Sequence, residues 1–206
     1  TDPTEHHIRV SRTARFHTLG GEVAEPREVW IGLHGYGQLA SRFIRHFAPL
    51  ADGTRLIVVP EALSRFYLDH PAKAGSTHAR VGASWMTRED REAEIADQVE
   101  YLDAVRDAVF AMLPATPPLH VLGFSQGVAT ATRWLAHGRT RATRVVLWSG
   151  RIPADLFPLR GLVSANWQTL PWHLKLFDYL WHMALPITAM AKAGVTADQV
   201  SLLVPH

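Results

Sequence analysis

Five short apolar runs, each closed by glycine or proline, limit what this chain can fold into. Glu28 to Leu33 (EVWIGL) ends at His34-Gly35, Arg55 to Val59 at Pro60 and Leu119 to Leu122 at Gly123. Arg144 to Trp148 ends at Ser149-Gly150, and Val200 to Val204 at Pro205. The runs are apolar throughout rather than alternating, as in strands buried on both faces of a parallel sheet. Between them lies helical periodicity. Ile95, Val99, Leu102, Val109 and Leu113 share one face of an amphipathic helix of about 20 residues, stopped by Pro114. Shorter helices are expected over 40–51 and 127–137. This alternation predicts right-handed crossovers in an α/β class fold, with helices on both faces of a mostly parallel central sheet. Residues 7–19 alternate loosely before Gly20-Gly21 and read as a hairpin strand. Residues 69–88 are small and polar without a period, and read as a long surface loop.

With 206 residues, 47% of them hydrophobic, and no linker rich in Gly, Ser or Pro, one domain over 1–206 is expected. The absence of cysteine excludes a disulfide framework, a thiolate nucleophile and Cys-ligated metals. The 12 histidines include no H-x-H or H-x-x-x-H spacing, so neither a metal nor an organic cofactor is expected. Net charge is only +2, and no basic run is interleaved with aromatics, which argues against nucleic-acid partners. No stretch of about 18 uncharged apolar residues could span a membrane. Residues 1–30 hold no signal-like apolar run, so a cytoplasmic location is expected, although the first residue is Thr1 and a leader trimmed from it would be compatible. Oligomeric state is left open, a dimer included.

Chemistry enters at Gly123-Phe124-Ser125-Gln126-Gly127, a G-x-S-x-G pentapeptide between an expected strand and an expected helix. A sharp strand–turn–helix holds the central hydroxyl out above the sheet edge, and the flanking glycines avoid steric clash. The plain alternative is a glycine-rich turn with a capping serine. At a nucleophilic serine, the helix start offers a free N–H at Gln126 as one oxyanion donor. His34-Gly35-Tyr36-Gly37 closes an earlier expected strand, where its glycines let the backbone approach a substrate closely. The Tyr36 N–H is assigned as the second donor.

Four segments together, LHGYG (33–37), GASWMTRED (82–90), GFSQG (123–127) and WSG (148–150), resemble the phospholipase/carboxylesterase family of α/β-hydrolases, which includes acyl-protein thioesterases. The resemblance covers about residues 25–155. It implies the α/β-hydrolase fold and a Ser-His-Asp triad without a cofactor. It also implies hydrolysis of carboxylic esters, thioesters or lysophospholipids, so a small or lipid-like ester is the expected partner. By the same resemblance Trp85 matches an aromatic near the pocket mouth, with a core tryptophan the alternative. His206, after the last expected strand, matches the catalytic histidine, with Pro205 in place of the usual glycine and with His173 and His182 as competitors.

The acid departs from the pattern. Its column holds Gln168, with Asn166 nearby, and neither carries the charge that steadies an imidazolium. Asp155 lies early and Asp198 late, so elimination leaves Asp178. Residues 161–191 hold Trp167, Trp172 and Trp181 but only Lys175 and Asp178 as charges. They read as an apolar lid over the pocket, Trp181 included, or as an irregularity of the sequence. The family usually continues into a final helix where this chain stops at His206. Expected, then, is a serine esterase in which Ser125 attacks, His206 moves the proton and Asp178 orients His206. The rivals are a non-hydrolytic binding protein with a decayed triad, and an acyltransferase.

Overall fold

The computed structural model describes residues 2–22, 24–69 and 79–156, and the backbone of 200–203. Six strands form the main sheet: β1 (Phe16–Leu19), β2 (Glu28–Leu33), β3 (Arg55–Pro60), β6 (Leu119–Phe124), β7 (Arg144–Trp148) and β8 (Val200–Leu203). Their order is β1-β3-β2-β6-β7-β8. All neighbours run parallel except β1, which pairs antiparallel with β3 at the edge. Two further strands, β4 (Ser64–Tyr67) and β5 (Val81–Ser84), make a separate antiparallel pair.

Strand side chains alternate between faces, and both faces are buried. Val29, Ile31 and Leu33 of β2, with Val58, Val121 and Val145, pack under the two long helices α2 (Arg91–Ala111) and α3 (Gln126–His137). Leu102, Val105, Val109, Val128 and Trp134 complete that layer. On the other face Trp30, Ile57, Val59 and Val146 meet Phe43, Ile44 and Phe47. Those last three come from α1 (Ala40–Phe43) and the 3-10 turn Ile44–Leu50 that continues it. Each fully buried Val or Leu contributes about 1.5–3 kcal/mol, which is why runs apolar at every position become central strands. The expected mostly parallel α/β architecture is the one observed.

Three local expectations are corrected. Residues 40–51 are not one α-helix, because Pro49 has no amide hydrogen to donate and disfavours α geometry before it. Of residues 7–19 only the last four form a strand, and their partner is β3 rather than the next strand in sequence. A tertiary ion pair holds that edge: Arg15 donates from Nε and Nη2 to the two oxygens of buried Glu61, at 2.8 and 3.0 Å. Within the expected loop 69–88, Val81–Ser84 is a strand whose signal is lost in Gly82 and Ala83. Smallness there serves packing, since a Cβ on Gly82 would lie 2.4 Å from the Gly37 carbonyl oxygen.

Helices α2 and α3 are joined by a buried carboxylate. Asp103 accepts from Trp134 Nε1 (2.9 Å), Thr140 Oγ1 (2.6 Å) and the Arg139 amide (2.8 Å). These donors hold its pKa below the ordinary carboxylate value despite the opposing effect of burial, the largest single influence. Asp103→Leu strands buried donors and is expected to cost about 3 kcal/mol. Urea unfolding checks this; an unchanged midpoint would show the network to be dispensable.

Candidate active site

Ser125 is the single residue between β6 and α3, with φ 53° and ψ −115°. A non-glycine residue with φ in the left-handed range costs about 1–3 kcal/mol and persists only where its surroundings over-determine it. Here they do: its amide donates to the Trp148 carbonyl at the end of β7 (2.9 Å), and its carbonyl accepts from the Val128 amide (3.0 Å). Helix α3 then starts hard against β2. A Cβ on Gly127 would lie 2.2 Å from the Leu33 carbonyl oxygen, so only glycine permits this approach.

The loop after β2 runs directly past Ser125: a Cβ on Gly35 would sit 3.2 Å from the Ser125 Cβ. Several bonds hold this loop. The Ala62 amide donates to His34 Nε2 (3.1 Å), which leaves the proton on Nδ1 to donate to the Gly35 carbonyl (2.8 Å). Burial pushes the His34 pKa below the ordinary histidine value, which keeps the ring neutral for these two roles. The Gly35 amide donates to Gln38 Oε1 (2.7 Å), and the Gly37 amide to the Ala83 carbonyl of β5 (2.9 Å). Tyr36 is 61% exposed, its ring tilted against Phe66 at 5.1 Å between centroids.

Gln126 opens α3 and uses its whole side-chain amide. Nε2 donates to the Met86 carbonyl (2.9 Å) and Ser84 Oγ (3.1 Å), while Oε1 accepts from the Trp85 amide (3.1 Å). Trp85 itself lies in the core, 3% exposed, and its indole N–H donates to the His34 carbonyl (2.8 Å). An aromatic series flanks this turn: Phe43 stacks on Phe124 at 6.0 Å, and Phe124 meets Trp148 edge-on at 5.7 Å. Trp148 is 44% exposed and offers apolar surface beside Ser125.

Asp155, an early candidate for the acid, is engaged elsewhere. Arg133 grips it with two bonds of 3.0 Å, and Arg91 adds a contact of 2.9 Å. The paired Arg133 guanidinium holds this carboxyl down to about 2. An unfolded aspartate titrates near about 3.9, so the pairing stabilises the fold above that pH and is lost as pH falls toward 2. Asp155→Asn should therefore lower Tm at pH 7, and the deficit relative to the parent should shrink between pH 4 and 2. A deficit constant with pH would mean that packing, not charge, is at work.

Ser125, Gln126 and the Tyr36 loop thus converge at the carboxyl ends of β2 and β6. His206, Asp178, Gln168 and Trp181 lie outside the described residues. Sequence reasoning missed the roles of His34, the Gln126 side chain and Arg133. A signal existed for Gln126 and Arg133, which are seven residues apart and share one face of α3. Among the described residues, the one cluster with metal-ligand spacing is Glu5, His7 and Asp90, all exposed, with His7 Nε2 already 3.0 Å from Asp90 and 3.2 Å from Glu5.

No protein-family model matches the chain. A stretch of 53 residues, 26% of the chain, is 53% identical to the inner membrane ABC transporter permease protein YejB of Escherichia coli O157:H7, and spans 15% of that protein. The peptidoglycan transport system permease protein YejB of Agrobacterium fabrum is 49% identical over 47 residues, 23% of this chain and 13% of the relative. Among the described residues no helix is long and apolar enough to cross a membrane. The likeness to solved structures extends over most of the chain. Esterase PE8 is 17% identical with a TM-score of 0.56, covering 94% of this chain and 89% of the other. A phospholipase/carboxylesterase from Dyadobacter fermentans is 13% identical at TM-score 0.55, covering 96% and 90%. The Bacillus cereus carboxylesterase is 14% identical at TM-score 0.54, covering 94% and 85%. At such identities the likeness is one of architecture, and by that architecture the chain has the α/β-hydrolase fold.

Proposed function

We propose that this chain is a serine hydrolase of carboxylic esters, with thioesters and lysophospholipids in the same range. The observation that carries the reading is Ser125 held at φ 53° between β6 and α3, beside the His34–Gly37 loop. In this reading Ser125 Oγ attacks the acyl carbon as His206 takes its proton, and Asp178 orients the imidazole. The amides of Tyr36 and Gln126 hold the oxyanion. Collapse breaks the bond to the leaving oxygen or sulfur, which takes the proton from His206. A water, deprotonated by the same histidine, then releases the acid and restores Ser125. Trp148 and Phe124 supply apolar surface beside the acyl carbon.

A fluorophosphonate probe tests the reading, because it labels only an activated serine. Labelling at Ser125 together with turnover of a short p-nitrophenyl ester is the expected result. Absence of both would favour a binding protein on the same scaffold, the reading that a Gln168 in the acid column would support. Turnover that yields mainly the transferred ester when an alcohol is added would favour an acyltransferase. The YejB likeness covers too little of either permease to carry a transport reading.

A further inference from the structure

Two backbone amides on different elements must share one oxyanion, Tyr36 on the loop after β2 and Gln126 at the start of α3. The two segments pack directly, Gly127 against Leu33 and His34, but packing alone does not fix where each amide points. One residue bonds to both sides. The Trp85 amide donates to Gln126 Oε1 (3.1 Å), and its indole N–H donates to the carbonyl of His34 (2.8 Å), two residues before Tyr36. The indole also lies 5.0 Å from the His34 ring, tilted at 34°. It is nearly enclosed, so its two bonds face little competition from water. Neither bond uses the amide of Tyr36 or Gln126, and among the described residues no hydrogen bond occupies either amide.

We infer that Trp85 is a positioning residue, a strut that sets the separation between the two oxyanion donors. The inference rests on the proposed serine-hydrolase reading and adds what that reading lacks: a cause for the donors' fixed geometry. The polarity is specified at every joint. Gln126 Oε1 must accept from Trp85 because Nε2 is spent on the Met86 carbonyl and Ser84 Oγ. His34 in turn is held by Ala62 and Gly35, so the indole pulls against a braced carbonyl rather than a loose one. Misplacing a donor weakens stabilisation of the transition state while leaving substrate contacts intact. Loss of the strut should therefore appear in kcat.

Trp85→Phe keeps a buried ring and the backbone amide but removes the indole N–H. Rates are expressed per active site, titrated with the fluorophosphonate, so that misfolded protein does not count. The expected result is a fall in kcat of about 10-fold or more with KM within about twofold. Gln126→Met, which removes the other joint but keeps the Gln126 amide, should give a similar fall. The double variant should lose little beyond the worse single, because both act on one geometry. Folded Trp85→Phe with a parental kcat would overturn the strut and leave the hydrolase reading standing. So would multiplicative losses in the double variant. If Trp85→Phe does not fold, Gln126→Met decides: a parental kcat there overturns the strut. A parent chain with no turnover dependent on Ser125 would overturn the hydrolase reading and the strut together.

Discussion

Ser125→Ala is expected to lower turnover of a short p-nitrophenyl ester by about 10⁴-fold or more and to abolish fluorophosphonate labelling. The size of the effect follows from what is removed. The hydroxyl is the attacking group, while the Tyr36 and Gln126 amides remain to give a small residual rate. Stability should change little, since alanine at a position with φ 53° keeps the same backbone strain. His206→Ala should cost a similar factor, and the double variant little more, because nucleophile and base act as a unit. An alanine variant that keeps a tenth of the parental rate would end the elbow reading.

Gly127→Ala is expected to damage the fold far more than a methyl group added in open space. The new carbon would lie 2.2 Å from the Leu33 carbonyl oxygen, 2.7 Å from its carbon and 2.9 Å from the His34 carbonyl oxygen, all backbone atoms of β2 and its exit. No rotamer relieves such a contact. Helix α3 must back away from the sheet, at a cost of about 3 kcal/mol, and the Gln126 amide moves with it. Gly53→Ala is the control. Its φ is +82°, but nothing lies within 4 Å, so only the conformational cost of about 1–2 kcal/mol applies. Urea midpoints and ester turnover on both variants separate these cases. Equal losses at the two positions would show that the close approach at Gly127 is not what requires glycine.

The central strands were legible because burial on both faces leaves a uniform apolar run: the expected Glu28–Leu33 and Arg144–Trp148 are β2 and β7 to the residue. Helix α2 was legible from its period and from Pro114, and ends at Ala111. Strand β5 was not, because Gly82 and Ala83 are small to admit the Gly37 backbone, a requirement that comes from a segment more than forty residues away. The edge strand was misread for a similar reason. Its partner β3 is selected by Arg15 reaching buried Glu61, and no local pattern near residue 16 encodes that contact.

The sequence by itself determined the class of fold, the succession of the central strands and the two long helices along the chain, and the position of Ser125 at a strand–helix turn. Each of these depends on short-range pattern: runs of apolar residues, a 3.6-residue period, glycines flanking one serine. The tertiary structure alone decided which groups stand around that serine. It committed Asp155 to Arg133 and Arg91, made His34 a neutral brace, and placed Trp85 in the core with one bond to each side of the site. Those assignments join residues up to 64 positions apart in sequence, from Arg91 to Asp155, and partners at such separations are selected by packing of the whole sheet and its helices.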